Sequence, residues 1–364
     1  MIISIQENVF ITGERTDEMR KLRLGIIGAG QIVETTHMPN YIKYSEDVET
    51  LSIIDVNLER AKYMAEKFNI PYYFSSYEEM FKNVELDAVS VCTPNKFHAE
   101  AVIAALNHGC HVLCEKPPAT SKADAERMTE AARQKGKILT YNLHFRQGEE
   151  VQAIKRFIDA GDFGEIYSAR VQALRRRGIP GWGVFTNKDI QGGGPLIDIG
   201  VHMLDTALYL MGYPEVDYVS AVTYDRIGKR GGVGLMGNWD PAKFTVEDSA
   251  FGFIRFKNGA SLMLESSFAL NMKERSLMNV NLFGEKAGAT VFPPVIYSEK
   301  HGSLMDIELP FLPDNDKHSK SIKSFIDACL GRESMICSAE EGLTLQRIID
   351  GFYESAQKGC SIKL

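Results

Sequence analysis

The run Leu22-Arg23-Leu24-Gly25-Ile26-Ile27-Gly28-Ala29-Gly30-Gln31-Ile32-Val33 decides how the first half of this chain is read. An apolar run ending in glycine predicts a buried strand over 22–28. Gly28 permits a tight strand-to-helix turn, and Gly30 lets a phosphate approach the backbone. A helix from Gln31 towards Tyr44 follows, ended or kinked by Pro39. Its first residues, Gln31 and Ile32, offer free N–H groups and the positive end of the helix dipole to an anion. Val33 stands where glycine or alanine is usual, and puts a branched side chain where helix and strand pack closely.

Working outward, apolar runs at 49–55, 87–93, 110–115 and 137–142 alternate with helical patterns at 58–68, 96–107 and 122–136. That alternation predicts an α/β unit, a parallel sheet covered on both faces, ending near residue 145. The second strand ends in Asp55, which has two readings. Its carboxylate can accept hydrogen bonds from an adenosine ribose diol and repel a 2′-phosphate, or it can cap the next helix. Val56 and Asn57 add no positive charge, and the nearest arginine is Arg60. The first reading predicts NAD over NADP.

Beyond 145 the pattern changes. After a helix at 149–160, longer β-rich segments run over 165–175, 216–225, 248–256, 260–270 and 276–284, interrupted by a helix at 197–211. Strands without regular crossover helices predict an α+β domain with an open, largely antiparallel sheet, one side solvated or facing a partner. Residues 226–245 are glycine-rich and read as a long loop. Helices at 319–330 and 339–357 close the chain. The expected organisation is an extension over 1–21, a first domain over 22–145 and a second over 146–364.

With 364 residues, 44% of them hydrophobic, the chain can fill two cores. A net charge of −7 and the lack of a basic stripe argue against nucleic acid. The densest basic run, Arg175-Arg176-Arg177, reads as a solvated turn or ion-pair network, with a ligand role left open by the loop after it. The six cysteines show no CxxC, and Cys92, Cys110 and Cys114, in or beside apolar runs, read as small core residues, which suits a reducing cytoplasm. No apolar stretch approaches the ~18–20 residues of a membrane span, and the N-terminus lacks the basic region of a signal peptide. The histidines show no clustered ligand spacing beyond His108/His111, so no metal is expected.

Lys116 lies in Glu115-Lys116-Pro117-Pro118, at the carboxyl edge of a predicted parallel strand, where open α/β sheets place ligands. A cis Lys116-Pro117 bond fits there. The lysine can hydrogen-bond a substrate hydroxyl and help move its proton; the alternative is a surface lysine. Asp198 and His202 are four apart, on one face of a helix, after a flexible lead-in of Gly192-Gly193-Gly194-Pro195. His202 can accept a hydroxyl proton as hydride leaves carbon, since imidazole titrates near ~6.5 in the reference state. Asp198 can orient it or bind a neighbouring hydroxyl. The alternative is a capping aspartate beside a half-buried histidine. A phosphate loop, a lysine and an Asp/His pair, in that order, point to a nicotinamide-dependent dehydrogenase of a sugar or polyol.

GIIGAGQI (25–32), VCTPNKFHAE (91–100), CEKPPAT (114–120) and GGGPLIDIGVHMLD (192–205) give the chain, over residues 22–364, a resemblance to the glucose-fructose oxidoreductase/inositol dehydrogenase/rhizopine-catabolism family, Gfo/Idh/MocA. The resemblance implies an N-terminal Rossmann domain and a second domain that binds substrate and assembles homodimers or homotetramers through its open sheet. It implies Lys116, Asp198 and His202 as the catalytic set. Thr93, Pro94, Asn95 and His98 would lie by the ribose and nicotinamide, and Glu115 would approach the cofactor. Arg146 falls where substrate contacts occur. Trp182 would pack over the nicotinamide or a sugar ring, or else in the core. His318 would touch substrate, or simply start a helix. The expected activity is oxidation of a secondary hydroxyl of a sugar, sugar derivative or cyclitol with NAD. Two other readings stay open: a dinucleotide-binding regulator without turnover, and a closed-cycle NAD enzyme acting on glycosides.

Overall fold

The computed structural model describes residues 21–313, 316–333, 335 and 337–364, so nearly all of the expected extension over 1–21 lies outside the described residues. The first sheet holds β1 (Leu22–Ile27), β2 (Val48–Ile54), β3 (Tyr72–Phe74), β4 (Ala88–Val91), β5 (His111–Cys114) and β6 (Leu139–Tyr141). Its order is β3-β2-β1-β4-β5-β6, and every pairing is parallel. β4 is buried along its whole length, as a strand covered on both faces must be. The cover comes from α1 (Met38–Lys43), α2 (Leu58–Phe68), α3 (Tyr77–Asn83), α4 (His98–Asn107) and α5 (Lys122–Lys135). Asn57, Ser76 and Ser121 cap α2, α3 and α5 by accepting a backbone N–H. Strand order reverses between β1 and β4, which opens a crevice at the carboxyl ends where such sheets bind dinucleotides.

Pro39 does not end its helix. A five-residue π turn, Val33–His37, precedes α1, and Met38 N donates to Val33 O. The wider turn accommodates a residue that has no N–H to give.

The second half contains α6 (Glu149–Asp159), β7 (Ile166–Arg175), α7 (Lys188–Gln191), α8 (Val201–Leu210), β8 (Val216–Tyr224), α9 (Arg226–Arg230), β9 (Ser249–Phe256), β10 (Ser261–Ser267), β11 (Ser276–Gly284), β12 (Ala287–Thr290), β13 (Val295–Lys300), β14 (Ser303–Glu308), α10 (Lys317–Cys329), α11 (Ala339–Lys358) and β15 (Ile362–Lys363). Nine strands form an open sheet, β14-β13-β12-β11-β7-β10-β9-β8-β15. All neighbours are antiparallel except β7 and β10. Leu262 and Leu264 of β10 are buried while Met263 between them is exposed, the alternation of a sheet covered on one face. α8 and α11 pack against the sheet. α10 crosses to the first sheet, where Ile322, Phe325 and Ile326 join Leu22, Leu24, Met38 and Tyr41 in one core.

Candidate active site

The phosphate loop is set by close approach. Gly28 has φ +99°, and a Cβ there would lie 2.7 Å from Cys92 O on the neighbouring strand end. A Cβ on Gly30 would meet nothing within 4 Å, so this glycine faces open space that a phosphate can enter. Val33 is fully buried in the core with Leu24 and Ile26, so its branch is accommodated. Asp55 Oδ2 accepts the Ala29 N–H at 2.9 Å and Oδ1 accepts the Asn57 N–H at 2.9 Å. Asn57 is the residue that caps α2. Asp55 is therefore not the cap, and ties the phosphate loop to the end of β2. Arg60 spends its charge locally, with Nε donating to Ala29 O at 2.8 Å and Nη2 to Glu34 at 2.5 Å. Hydrogen bonds from Lys67 and Arg60 hold the Glu34 carboxyl at about 2.

At the next strand ends the Lys116-Pro117 peptide is cis. Glu115 Oε1 lies 2.7 Å from His37 Nε2 and accepts a hydrogen bond from Asn142 Nδ2 at 2.7 Å. Burial pushes this carboxyl up, but the His37 and Asn142 contacts and the Lys116 charge outweigh it and hold it at about 2. His98 Nδ1 sits 2.9 Å from Pro117 O and Nε2 3.0 Å from Thr93 O, so the ring braces two loops against each other. Burial lowers the proton affinity of His98; a neutral ring has one N–H to give, and the second contact is then an approach without a proton. Pro94 is exposed, and Asn95 Nδ2 donates to Gln191 O at 2.9 Å. Thr93 Oγ1 is buried with no partner among the described residues.

The glycine lead-in to Asp198 is not flexible. Glu247 accepts the N–H groups of Gly194 at 2.9 Å and Leu196 at 3.2 Å, and the Tyr353 hydroxyl at 2.9 Å. A Cβ on Gly193 would collide with that hydroxyl. These bonds fix the π turn Leu196–Gly200, which carries Asp198 into α8. Lys116 Nζ donates to Asp198 Oδ1 at 2.7 Å and to Asp198 O at 3.1 Å. His202 is 8% exposed, and its Nδ1 is buried without a partner among the described residues. Its ring lies edge-on to His144 at 4.9 Å and beside Phe145 at 5.1 Å. His318 stacks on His144 at 3.7 Å, again with an unpartnered Nδ1. Burial, then the neighbouring His144, Lys116, His318 and Lys317, push the His202 imidazolium well below its usual range. The ring is neutral at neutral pH and can accept a proton.

Residues 22–143 match an oxidoreductase family described as having an NAD-binding Rossmann fold, and residues 155–364 match the C-terminal alpha/beta domain of the same family. The chain belongs to the Gfo/Idh/MocA oxidoreductase family. It is 45% identical over 343 residues to D-glucoside 3-dehydrogenase of Escherichia coli K12, covering 94% of this chain and 97% of that protein. It is 27% identical over 357 residues to myo-inositol 2-dehydrogenase of Thermotoga maritima, covering 94% and 98%. A levoglucosan dehydrogenase solved with NADH and L-sorbose superposes with a TM-score of 0.81 at 25% identity, covering 94% of this chain and 98% of that one. The chain is thus an oxidoreductase of CH–OH groups.

Not every residue expected at this family's site is free to serve it. Arg146, expected as a substrate contact, is fully buried. Nε and Nη2 grip Asp205 at 2.9 and 2.6 Å, Nη1 reaches Glu341 at 2.8 Å, and Nη2 also meets the Tyr213 hydroxyl at 2.6 Å. Two tyrosine rings, Tyr209 and Tyr213, flank the guanidinium at 5.2 and 5.1 Å. This is a structural ion-pair network, and the substrate role is withdrawn on that ground. Trp182 is 50% exposed beside Phe185, which excludes the core reading. Its loop is zipped to the glycine-rich stretch, with Gly181 N donating to Met236 O at 2.8 Å and Leu235 N to Arg177 O at 2.8 Å. Sequence reasoning did not single out His144 or Glu247. His144 lies two residues before Arg146, the position expected to touch substrate; nothing local marks Glu247.

Proposed function

We propose that this protein is an NAD-dependent dehydrogenase oxidising a secondary hydroxyl of a D-glucoside or closely related polyhydroxylated ring. The observation that carries the reading is the Lys116–Asp198 contact of 2.7 Å beside a neutral, unpartnered His202 nitrogen. Lys116 Nζ donates a hydrogen bond to the reacting hydroxyl oxygen, with Asp198 holding the ammonium in place. His202 takes the hydroxyl proton. His318 and Trp182 serve as substrate contacts. Gly28, Gly30, Gln31 and Ile32 cradle the pyrophosphate, and Thr93, Pro94 and Asn95 line the dinucleotide's other half. When bound, that dinucleotide supplies the hydride acceptor. His98 and Glu115 shape this side of the crevice through the braces described above.

The reading prefers NAD to NADP. The Asp55 carboxylate at the end of β2 repels a 2′-phosphate, and Arg60 is already paired with Glu34. The relative of greatest identity reported above is named for the glucoside 3-position, which makes that hydroxyl the first to test. Assembly into a homodimer or homotetramer uses the outward face of the second sheet, where Val222, Met263 and Phe283 are exposed. The test is a panel of methyl glucosides, aldoses and cyclitols with NAD and NADP in parallel. The proposal expects reduced NAD with a glucoside or a near relative; turnover with NADP alone would overturn the Asp55 reading.

A further inference from the structure

Arg175 ends β7 with its backbone pinned, Leu270 N donating to Arg175 O and Arg176 N to Arg275 O, both at 3.0 Å. The side chain is half-buried, its guanidinium 5.7 Å from the centre of the Phe268 ring. Among the described residues its one hydrogen bond is a long one, Nη1 to Gly178 O at 3.4 Å, and no carboxylate lies within ion-pair distance. β7 runs beside β10, whose Ser266 Oγ holds Pro195 O at 2.8 Å, so the strand end abuts the turn that carries Asp198. Burial lowers the proton affinity of this guanidinium, and the Asp198 carboxylate is the charge that partly offsets that. Arg146 shows how this chain satisfies a buried arginine it uses structurally. Arg175 has a fork of five N–H donors and almost nothing to give them to. Its nitrogens that lack a protein acceptor are accessible, not sealed, and so are free to hold an oxygen-rich ligand.

We propose that Arg175 is a specificity-determining residue whose guanidinium holds a ring hydroxyl adjacent to the oxidised carbon, so that the site selects vicinal diols. This rests on the dehydrogenase reading above. Lys116, Asp198 and His202 take the reacting hydroxyl, and Arg175 takes its neighbour. The class of substrate is a ring with free hydroxyls on adjacent carbons, not an isolated secondary alcohol.

The test compares wild type, Arg175→Leu and Arg175→Lys on methyl β-D-glucopyranoside and its 2-deoxy and 4-deoxy analogues, the neighbours of the 3-position. Wild type is expected to prefer the parent over one analogue by about 100-fold or more, and Arg175→Leu to reduce that preference to about threefold, because a site built around a hydroxyl discriminates only while its donor is present. The change appears mainly in KM for the parent, with a smaller change on that analogue and Arg175→Lys intermediate. Melting temperature and dinucleotide affinity verify that the variants are folded; if the leucine variant is not, the lysine variant carries the comparison. Equal losses on parent and analogues, or discrimination that survives the substitution, would overturn the proposal. If wild type oxidises no glucoside, the substrate reading fails separately. The same comparison on whichever panel member is oxidised then judges Arg175.

Discussion

The turn His144–Gln147 separates two polar clusters. On one side Arg146 is enclosed by Asp205, Glu341 and Tyr213, with two tyrosine rings against its faces. On the other, His144 leads to His202 and His318, whose Nδ1 atoms are buried with no partner among the described residues. The clusters share a turn and a depth of burial, and differ in whether their hydrogen-bonding capacity is used. Buried polar groups are normally satisfied, so a concentration of unsatisfied ones marks where a ligand completes the structure. That difference, not charge or burial alone, distinguishes the two clusters.

Four substitutions or conditions would break or sharpen the contrast. His202→Ala is expected to lower kcat by roughly 10²–10⁴-fold, the usual worth of a positioned proton acceptor, with little change in melting temperature; steady-state kinetics and calorimetry on one preparation check both halves. Arg146→Met should do the reverse. It strands Asp205 and Glu341, and breaking a buried pair costs about 3–5 kcal/mol, read by denaturant unfolding, while kcat/KM of the folded fraction stays within a few-fold of wild type. Asp55→Ala removes the tie between the phosphate loop and β2. The KM for NAD is expected to rise about tenfold, the equivalent of one hydrogen bond to a charged group, and the ratio of NADP to NAD use to increase.

The smallest effect is on pH dependence. His202 must be neutral to accept a proton, and burial followed by His144, Lys116, His318 and Lys317 disfavours its protonated form. A base whose pKa is depressed loses activity only as pH falls through that lowered value. The acid limb of the kcat/KM profile should therefore lie below the ordinary imidazole range. Lys317→Met removes one of the opposing charges and should move that limb upward by under about one pH unit. A limb at or above the ordinary value would mean that His202 is not the acceptor.

The parts of the site legible in sequence are those where backbone geometry dictates the residue type. Gly28 is forced by a positive φ and the approach of Cys92, whereas a Cβ on Gly30 would meet nothing within 4 Å. The parallel sheet was legible because its strands and helices alternate at regular spacing. β3 is three residues long, and β12 to β14 lie in a stretch without strong alternation, so neither stood out. The role of Arg146 was not legible because its partners lie 59 and 195 positions away in the chain. Glu247 was missed for the same reason: it holds Gly194, 53 residues upstream. The GGGP segment read as flexible, yet Gly193 and Gly194 sit where Tyr353 and Glu247 leave no room for side chains, and Gly192 adopts a φ of +83°.

The most direct test of hydride chemistry at the Lys116–His202 cluster is the rate of NADH formation from methyl β-D-glucopyranoside by wild type and Lys116→Ala, with NAD affinity measured on both. The account predicts NADH formation by wild type, and a variant that binds NAD as tightly but forms NADH at least about 100-fold more slowly. Undiminished turnover in Lys116→Ala would contradict the assignment of the site. Tight NAD binding without turnover of any polyol by wild type would point to a dinucleotide sensor in place of a dehydrogenase.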